Sequence, residues 1–178
     1  MPLALDVVEN RARKIQLLLF DVDGVLTDGT VVIGSDGSEA KSFSIRDGLG
    51  LAWAKAEGLR VGWLSGRASE ATTQRAEELG IDIVVQSGPD KRPAYAGIVK
   101  QLQLTDYQVA YMGDDLLDLP ILGRVGLSAA PADAAEDVLS RVHWVSRMPG
   151  GRGAARDLIE LVLRSRLKWD RLVTQHLR

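Results

Sequence analysis

The chain has no cysteine among its 178 residues. Disulfides and thiolate chemistry are thereby excluded, and the absence fits a reducing compartment. Histidine is scarce as well. His143 lies in a strand-like run and His176 near the end of the chain, neither beside a serine in a nucleophile motif nor at metal-ligand spacing. Both are expected to be structural. No apolar run approaches the roughly 18 residues that span a bilayer. The opening MPLALDVVENRARK carries acids inside its apolar stretch and no small-residue cleavage site, so no secretion leader is expected. An excess of one charge is missing too: a net charge of −2 leaves no footprint for nucleic acid. There is no internal repeat, low-complexity tract or long linker. What remains is 46% hydrophobic and 26% charged, an ordinary balance for a soluble protein. The length suits a single domain over residues 1–178 with a sizeable core, and the cytoplasm is its expected location.

Short apolar runs recur along the chain: residues 15–20 (IQLLLF), 60–64 (RVGWL), 81–86 (IDIVVQ), 108–112 (QVAYM), 126–129 (GLSA) and, more weakly, 143–146 (HWVS). Several are nearly continuous, as strands covered on both faces require. Helical patterns lie between them at 47–57, 69–79, 93–102, 118–123 and 133–140, with cap residues and closing glycines at their ends. Residues 1–14 read as a helix. Alternating strand and helix predicts an α/β architecture, a doubly wound, Rossmann-like parallel sheet whose ligands gather at the carboxyl ends of the strands. Residues 30–43 (TVVIGSDGSEAKSF) break the alternation and predict a protruding β-hairpin around Asp36-Gly37. It is too small for a cap domain, and no later gap has room for one. The site is therefore expected to be open unless another subunit covers it. Residues 153–177 carry a helical apolar stripe and predict one C-terminal helix.

Four places that follow strands concentrate the chemistry. Residues 17–29, LLLFDVDGVLTDG, end an apolar run in Asp21, Asp23 and Asp28. Residues i and i+2 at a strand end can point the same way. Two carboxylates there repel unless a cation or shared proton relieves them, and a hard divalent cation with oxygen ligands, Mg²⁺ beside phosphate, is the natural candidate. An acidic loop capping a helix is the plainer explanation of an isolated Asp-x-Asp. The second cluster is Gly113-Asp114-Asp115, with Asp118 close by, although Asp118 alone fits an Asx turn or helix cap. Leu64-Ser65-Gly66-Arg67 follows another strand, where a hydroxyl and a backbone amide could grip a phosphoryl oxygen or simply turn the chain. Lys91, after the connector Ser87-Gly88-Pro89-Asp90, would face the carboxylates and neutralise them together with a phosphate.

The order of these signals on successive strand ends resembles the haloacid dehalogenase superfamily of phosphohydrolases, through DVDGVLTDG (21–29), LSGR (64–67), Lys91 and GDD (113–115). FSIRDGLGL (43–51), YMGDDLLDLPIL (111–122), GLSAAPADA (126–134) and GGRGAARDLIELVL (150–163) are similar to its capless subfamily of 3-deoxy-D-manno-octulosonate 8-phosphate phosphatases, which also contains phosphatases of nine-carbon 2-keto sugar acids. The resemblance implies that Asp21 attacks phosphorus and forms an aspartyl-phosphate, while Asp23 protonates the leaving oxygen and later deprotonates water. It implies Mg²⁺ on Asp21, the Asp23 backbone carbonyl and Asp114, with Asp115 acting through a water. Ser65 and the Gly66 amide would hold the phosphoryl group, and Lys91 would balance charge. It further implies a homotetramer whose hairpins meet at the centre and whose sites are completed by neighbouring subunits. The substrate carboxylate needs a cation, for which Arg46, Arg67 and Arg152 are the candidates, Arg46 first. Asp28 is assigned to the turn into the hairpin. The tail LKWDRLVTQHLR departs from the small, glycine-containing tail of that subfamily. A non-catalytic assembly subunit and a signalling receiver domain are the competing classes. The first expects lost ligands, and the second expects no acid two residues after the phospho-accepting aspartate.

Overall fold

In the computed structural model, which describes residues 2–177, Leu17–Phe20 forms strand β1. Leu18 and Phe20 enter one hydrophobic cluster, while Leu17 and Leu19 enter the other. A strand buried on both faces needs an apolar residue at every position, which is why this run has no polar break. The remaining strands are β2 (Val32–Ile33), β3 (Glu39–Ala40), β4 (Arg60–Ser65), β5 (Ile83–Gln86), β6 (Val109–Met112), β7 (Leu127–Ala130) and β8 (Trp144–Val145). Six of them make one parallel sheet in the order β5-β4-β1-β6-β7-β8, with β2 and β3 paired apart from it.

Helices cover both faces. Helices α1 (Leu5–Ala12), α2 (Ile45–Ala56) and α3 (Glu70–Glu78) send Val8, Leu51 and Ala76 into the cluster that holds Leu18. The opposite face is covered by α4 (Arg92–Gln101), α5 (Leu119–Leu122) and α6 (Glu136–Leu139), through Tyr95, Ile121 and Val138. Helices α7 (Ala154–Ser165) and α8 (Trp169–His176) return to the first face. This is the doubly wound α/β sheet the sequence predicts, and no cap domain occurs among the described residues. The strand order leaves β1 to the β4 side and returns on the β6 side. A crevice therefore opens beyond the carboxyl ends of β1 and β6, where such sheets bind ligands.

The hairpin is shorter than the 30–43 segment: only Val32 with Ala40 and Ile33 with Glu39 are paired, antiparallel. Gly37 takes φ +83° at its tip, where Asp36 Oδ1 accepts the Ser38 N–H at 2.9 Å. Val32 and Ile33 are each 62% exposed. Past β3 the chain is pinned by Phe43, stacked on Trp63 of β4 with centroids 6.0 Å apart.

The tail corrects the expectation of one helix over 153–177. Leu167 adopts φ +57°, so α7 ends and α8 folds back. Trp169 packs edge-on against Trp53 of α2 at 5.7 Å between centroids, with His176 against the same indole at 5.4 Å. His143, as expected, is structural: its Nδ1 accepts the Ser128 N–H at 3.0 Å.

Candidate active site

The carboxyl ends of β1, β4 and β6 converge on a cleft of about 340 Å³. Asp21, Asp23, Ser65, Gly66, Arg67, Lys91, Asp114 and Asp115 all line it, together with Gly29, Leu117 and Asp118. The four sequence signals thus meet in one place. Asp21 follows β1 directly and is 7% exposed. Its Oδ1 accepts the Val22 N–H at 2.7 Å and lies 2.8 Å from Lys91 Nζ. Both contacts use one oxygen and leave Oδ2 free. Ser65 ends β4, and its Oγ is held in a tight turn, donating to Arg67 O at 2.9 Å and accepting the Arg67 N–H at 3.1 Å.

Lys91 is 3% exposed and opens α4. Its Nζ donates to Asp118 Oδ1 at 2.7 Å and to the Tyr111 hydroxyl at 3.3 Å. Burial works against the ammonium, but the adjacent Asp21 and Asp118 outweigh it and hold its pKa above the ordinary lysine value.

Asp118 is the residue that sequence reasoning underrated. Although it begins α5, it makes no cap bond there. Its side chain turns back into the site and is 1% exposed. Oδ1 accepts from Lys91 and from the Tyr111 hydroxyl at 2.6 Å, and Oδ2 accepts the N–H groups of Asp114 at 3.0 Å and Asp115 at 3.3 Å. Asp118 therefore shapes the loop after β6 and anchors Lys91. Capping of the short turn before α5 is shared: Asp115 Oδ1 accepts the Leu116 N–H at 2.7 Å, and Asp118 completes the capping box by accepting the Asp115 N–H, as its local sequence allows. Asp28 accepts the Thr30 N–H at 3.0 Å, a turn into the hairpin as expected.

The floor of the cleft has a charge deficit. Asp21, Asp114 and Asp118 each offer an oxygen within 4.8 Å of the others. Burial first, then Asp118, pushes the Asp21 carboxyl up to about 6 despite Lys91. Burial, followed by Asp21 and Asp118, pushes Asp114 up to about 8. Asp114 Oδ1 is buried without a hydrogen-bond partner. An orphaned buried carboxylate oxygen beside two others, in an all-oxygen donor set, fits a hard divalent cation. Because all four of its bonds are already made, Asp118 is less suited to hold the ion than Asp21 and Asp114. Gly24, at φ +87°, permits this approach, since a Cβ there would overlap the Asp114 carboxylate.

Two residues on the hairpin side also reach the site, and sequence reasoning missed both. Lys41 Nζ lies 2.6 Å from Asp23 Oδ1, an ion pair without hydrogen-bond alignment. Glu39 pairs with Arg67 and accepts the Ser69 hydroxyl at 2.6 Å. A lysine and a glutamate two residues apart in a polar hairpin carry no sequence signal of this. Arg46 and Arg152 are not in the cleft. They line a separate groove of about 400 Å³ beside Trp53, Arg147 and Arg156. Asp47 brings them together, because its carboxylate accepts the N–H groups of Gly153 at 3.2 Å and Arg156 at 2.7 Å where α7 begins.

Residues 64–156 match the family described as haloacid dehalogenase-like hydrolase. The chain is 43% identical to the 3-deoxy-D-manno-octulosonate 8-phosphate phosphatase of Yersinia pestis, over 91% of this chain and 86% of that protein. It is 39% identical to the Escherichia coli (strain K12) protein of the same name, over 95% and 89%. Among solved structures, the 3-deoxy-D-manno-octulosonate 8-phosphate phosphatase of Moraxella catarrhalis, in complex with magnesium ion, phosphate ion and KDO, superposes with TM-score 0.95 at 33% identity, covering 97% of this chain and 99% of that one. With the aspartate, serine and lysine signals gathered in one cleft of a doubly wound sheet, the chain belongs to the haloacid dehalogenase-like hydrolases, as a phosphatase of the 3-deoxy-D-manno-octulosonate 8-phosphate phosphatase branch.

Proposed function

We propose that this protein hydrolyses the phosphomonoester of 3-deoxy-D-manno-octulosonate 8-phosphate in the cytoplasm, in a Mg²⁺-dependent reaction through an aspartyl-phosphate. The observation that carries the reading is near full-length similarity to phosphatases of that name, supported by a cleft lined by Asp21, Asp23, Ser65, Lys91 and Asp114.

Asp21 Oδ2 attacks phosphorus, an Oδ2–P bond forms, and the bond to the sugar oxygen breaks. The electron pair leaves with that oxygen, which takes a proton from Asp23. A water then gives its proton to Asp23 and attacks the aspartyl-phosphate, releasing inorganic phosphate and regenerating Asp21. Ser65 and the Gly66 amide hold the phosphoryl oxygens, and Lys91, fixed by Asp118, balances charge beside Asp21. Mg²⁺ would be held by Asp21, Asp114 and the Asp23 backbone carbonyl, with Asp115 reaching it through water. Bound there, it neutralises phosphoryl charge, on which this class of transfer chiefly depends.

Arg67, in the cleft and 46% exposed at its side chain, becomes the first candidate for the substrate carboxylate. Arg46 and Arg152 serve a substrate only if assembly brings their groove to a neighbour's cleft. The exposed Val32 and Ile33 of the hairpin, with Ile45 at 82% exposure, favour a homotetramer built on that face.

The test is steady-state hydrolysis of eight- and nine-carbon 2-keto acid phosphates with and without Mg²⁺. A higher kcat/KM for the eight-carbon ester is expected. Preference for the nine-carbon ester overturns the substrate, and no release from either with Mg²⁺ present overturns the function.

A further inference from the structure

The Asp23 carboxylate stands outside the acidic trio on the cleft floor, although its residue is two positions from Asp21. What holds it there comes from the hairpin. Lys41 follows β3, and its side chain is 0% exposed, an unusual state for lysine. Its Nζ lies 2.6 Å from Asp23 Oδ1, donates to Thr72 Oγ1 at 3.4 Å and sits 3.8 Å from Glu39 Oε1. Thr72 belongs to α3, and it is itself fully buried. Glu39 in turn binds Arg67 and the Ser69 hydroxyl. The ammonium is thus fixed from both sides, by the hairpin and by α3, and in ion-pair contact with one oxygen of Asp23.

We infer that Lys41 is a positioning residue for proton transfer by Asp23, holding that carboxyl group at the mouth of the cleft and away from the acids that attract a cation. This rests on the proposed phosphatase mechanism. The step it serves is the departure of the leaving group: the P–O bond to the alcohol breaks, its electron pair stays on the alcohol oxygen, and that oxygen takes the Asp23 proton as the Asp21–phosphorus bond forms. Without Lys41, the Asp23 carboxylate loses its fixed ion-pair partner and samples other rotamers, and the transfer loses its geometry. A lysine that merely glued the hairpin in place would affect every substrate alike.

Leaving-group chemistry separates the two roles, because p-nitrophenolate departs without a proton whereas an alkoxide does not. For Lys41→Gln, kcat/KM for an alkyl phosphate that the wild type turns over falls about 10²-fold, at the low end for general acid catalysis. For p-nitrophenyl phosphate it stays within about threefold of wild type, because kcat/KM reports only the steps through leaving-group departure. Asp23→Asn gives the same selective pattern. Lys41→Arg, which keeps the charge, recovers part of the alkyl phosphate activity and stands in if Lys41→Gln fails to fold. Equal losses on both substrates, or no loss on either, overturn the role of Lys41. Wild-type turnover of p-nitrophenyl phosphate and of another alkyl phosphate, but of no sugar-acid phosphate, overturns the substrate reading while leaving the Lys41 test intact.

Discussion

Asp118→Asn should damage the fold of the site before it damages metal binding. The substitution is nearly isosteric, but an amide has one acceptor atom where the carboxylate has two. Asp118 now accepts four bonds, from Lys91, the Tyr111 hydroxyl and the N–H groups of Asp114 and Asp115. Whichever way the asparagine turns, two buried donors face an NH₂ group. Breaking a buried ion pair by removing one partner costs about 3–5 kcal/mol. Lys91 keeps Asp21 at 2.8 Å, so the low end applies. A loss of about 3 kcal/mol lowers the Tm of a chain this size by about 6–12 °C. Thermal unfolding by calorimetry without divalent metal measures it. A ligand role gives the opposite pattern: Tm within about 2 °C of wild type without metal, and Mg²⁺ dependence of kcat shifted to higher concentration. That result would refute the assignment of Asp118 as the anchor of Lys91.

Asp21→Asn should abolish turnover while leaving the unfolding transition cooperative, and retained phosphate release would remove Asp21 as nucleophile. Mg²⁺ should stabilise the protein more at pH 8 than at pH 5. Asp21, pushed up to about 6, and Asp114, pushed up to about 8, bind extra protons in the folded state, so the metal-free protein loses stability as pH rises from the ordinary carboxylate range through these values. At about 100 times its dissociation constant, Mg²⁺ adds about 2.7 kcal/mol, or about 5–11 °C in Tm, and an equal shift at both pH values would contradict this linkage. Trp169→Ala empties a site that is 7% exposed and should cost about 3 kcal/mol, with kcat on p-nitrophenyl phosphate unchanged. An unchanged Tm would mean that α8 does not hold the body of the protein.

The sheet was legible because its physics is local. A strand buried on both faces must be apolar throughout, so β1, β4 and β6 announce themselves, and the residues after each are placed at the carboxyl edge by topology alone. Asp21, Asp23, Ser65, Gly66, Asp114 and Asp115 were readable on that ground, and Lys91 from its place beyond β5. Asp118 was not, because its meaning lies in Lys91, 27 residues away, while its local sequence spells a helix cap. Lys41 and Glu39 were hidden for the same reason. Their partners are on the loop after β1, on α3 and on Arg67, and nothing in GSEAKSF distinguishes a buried lysine from a solvated one. The break at Leu167 was invisible because leucine is a helix former, and the apolar stripe continues through it to Trp169 and Leu172. Arg46 and Arg152 could be named as free cations, but which cavity they face depends on how Asp47 ties α2 to α7.

An open cleft still has to shield its central acid, and here shielding comes from below. Asp21 and Lys91 are almost fully buried without any lid, because the sheet edge and the loop after β6 enclose them. Specificity is left to the rim. There, Arg67 is held by Glu39 rather than by solvent alone, so under the proposed function the substrate anion competes with that carboxylate. A 2-keto acid phosphate brings such a carboxylate at the end remote from its phosphate, whereas a neutral sugar phosphate does not. The hairpin therefore does more than expose Val32 and Ile33. Through Lys41 it orders the proton donor, and through Glu39 it sets the electrostatic threshold at the mouth. Catalysis and recognition are thereby coupled to the same short pair of strands.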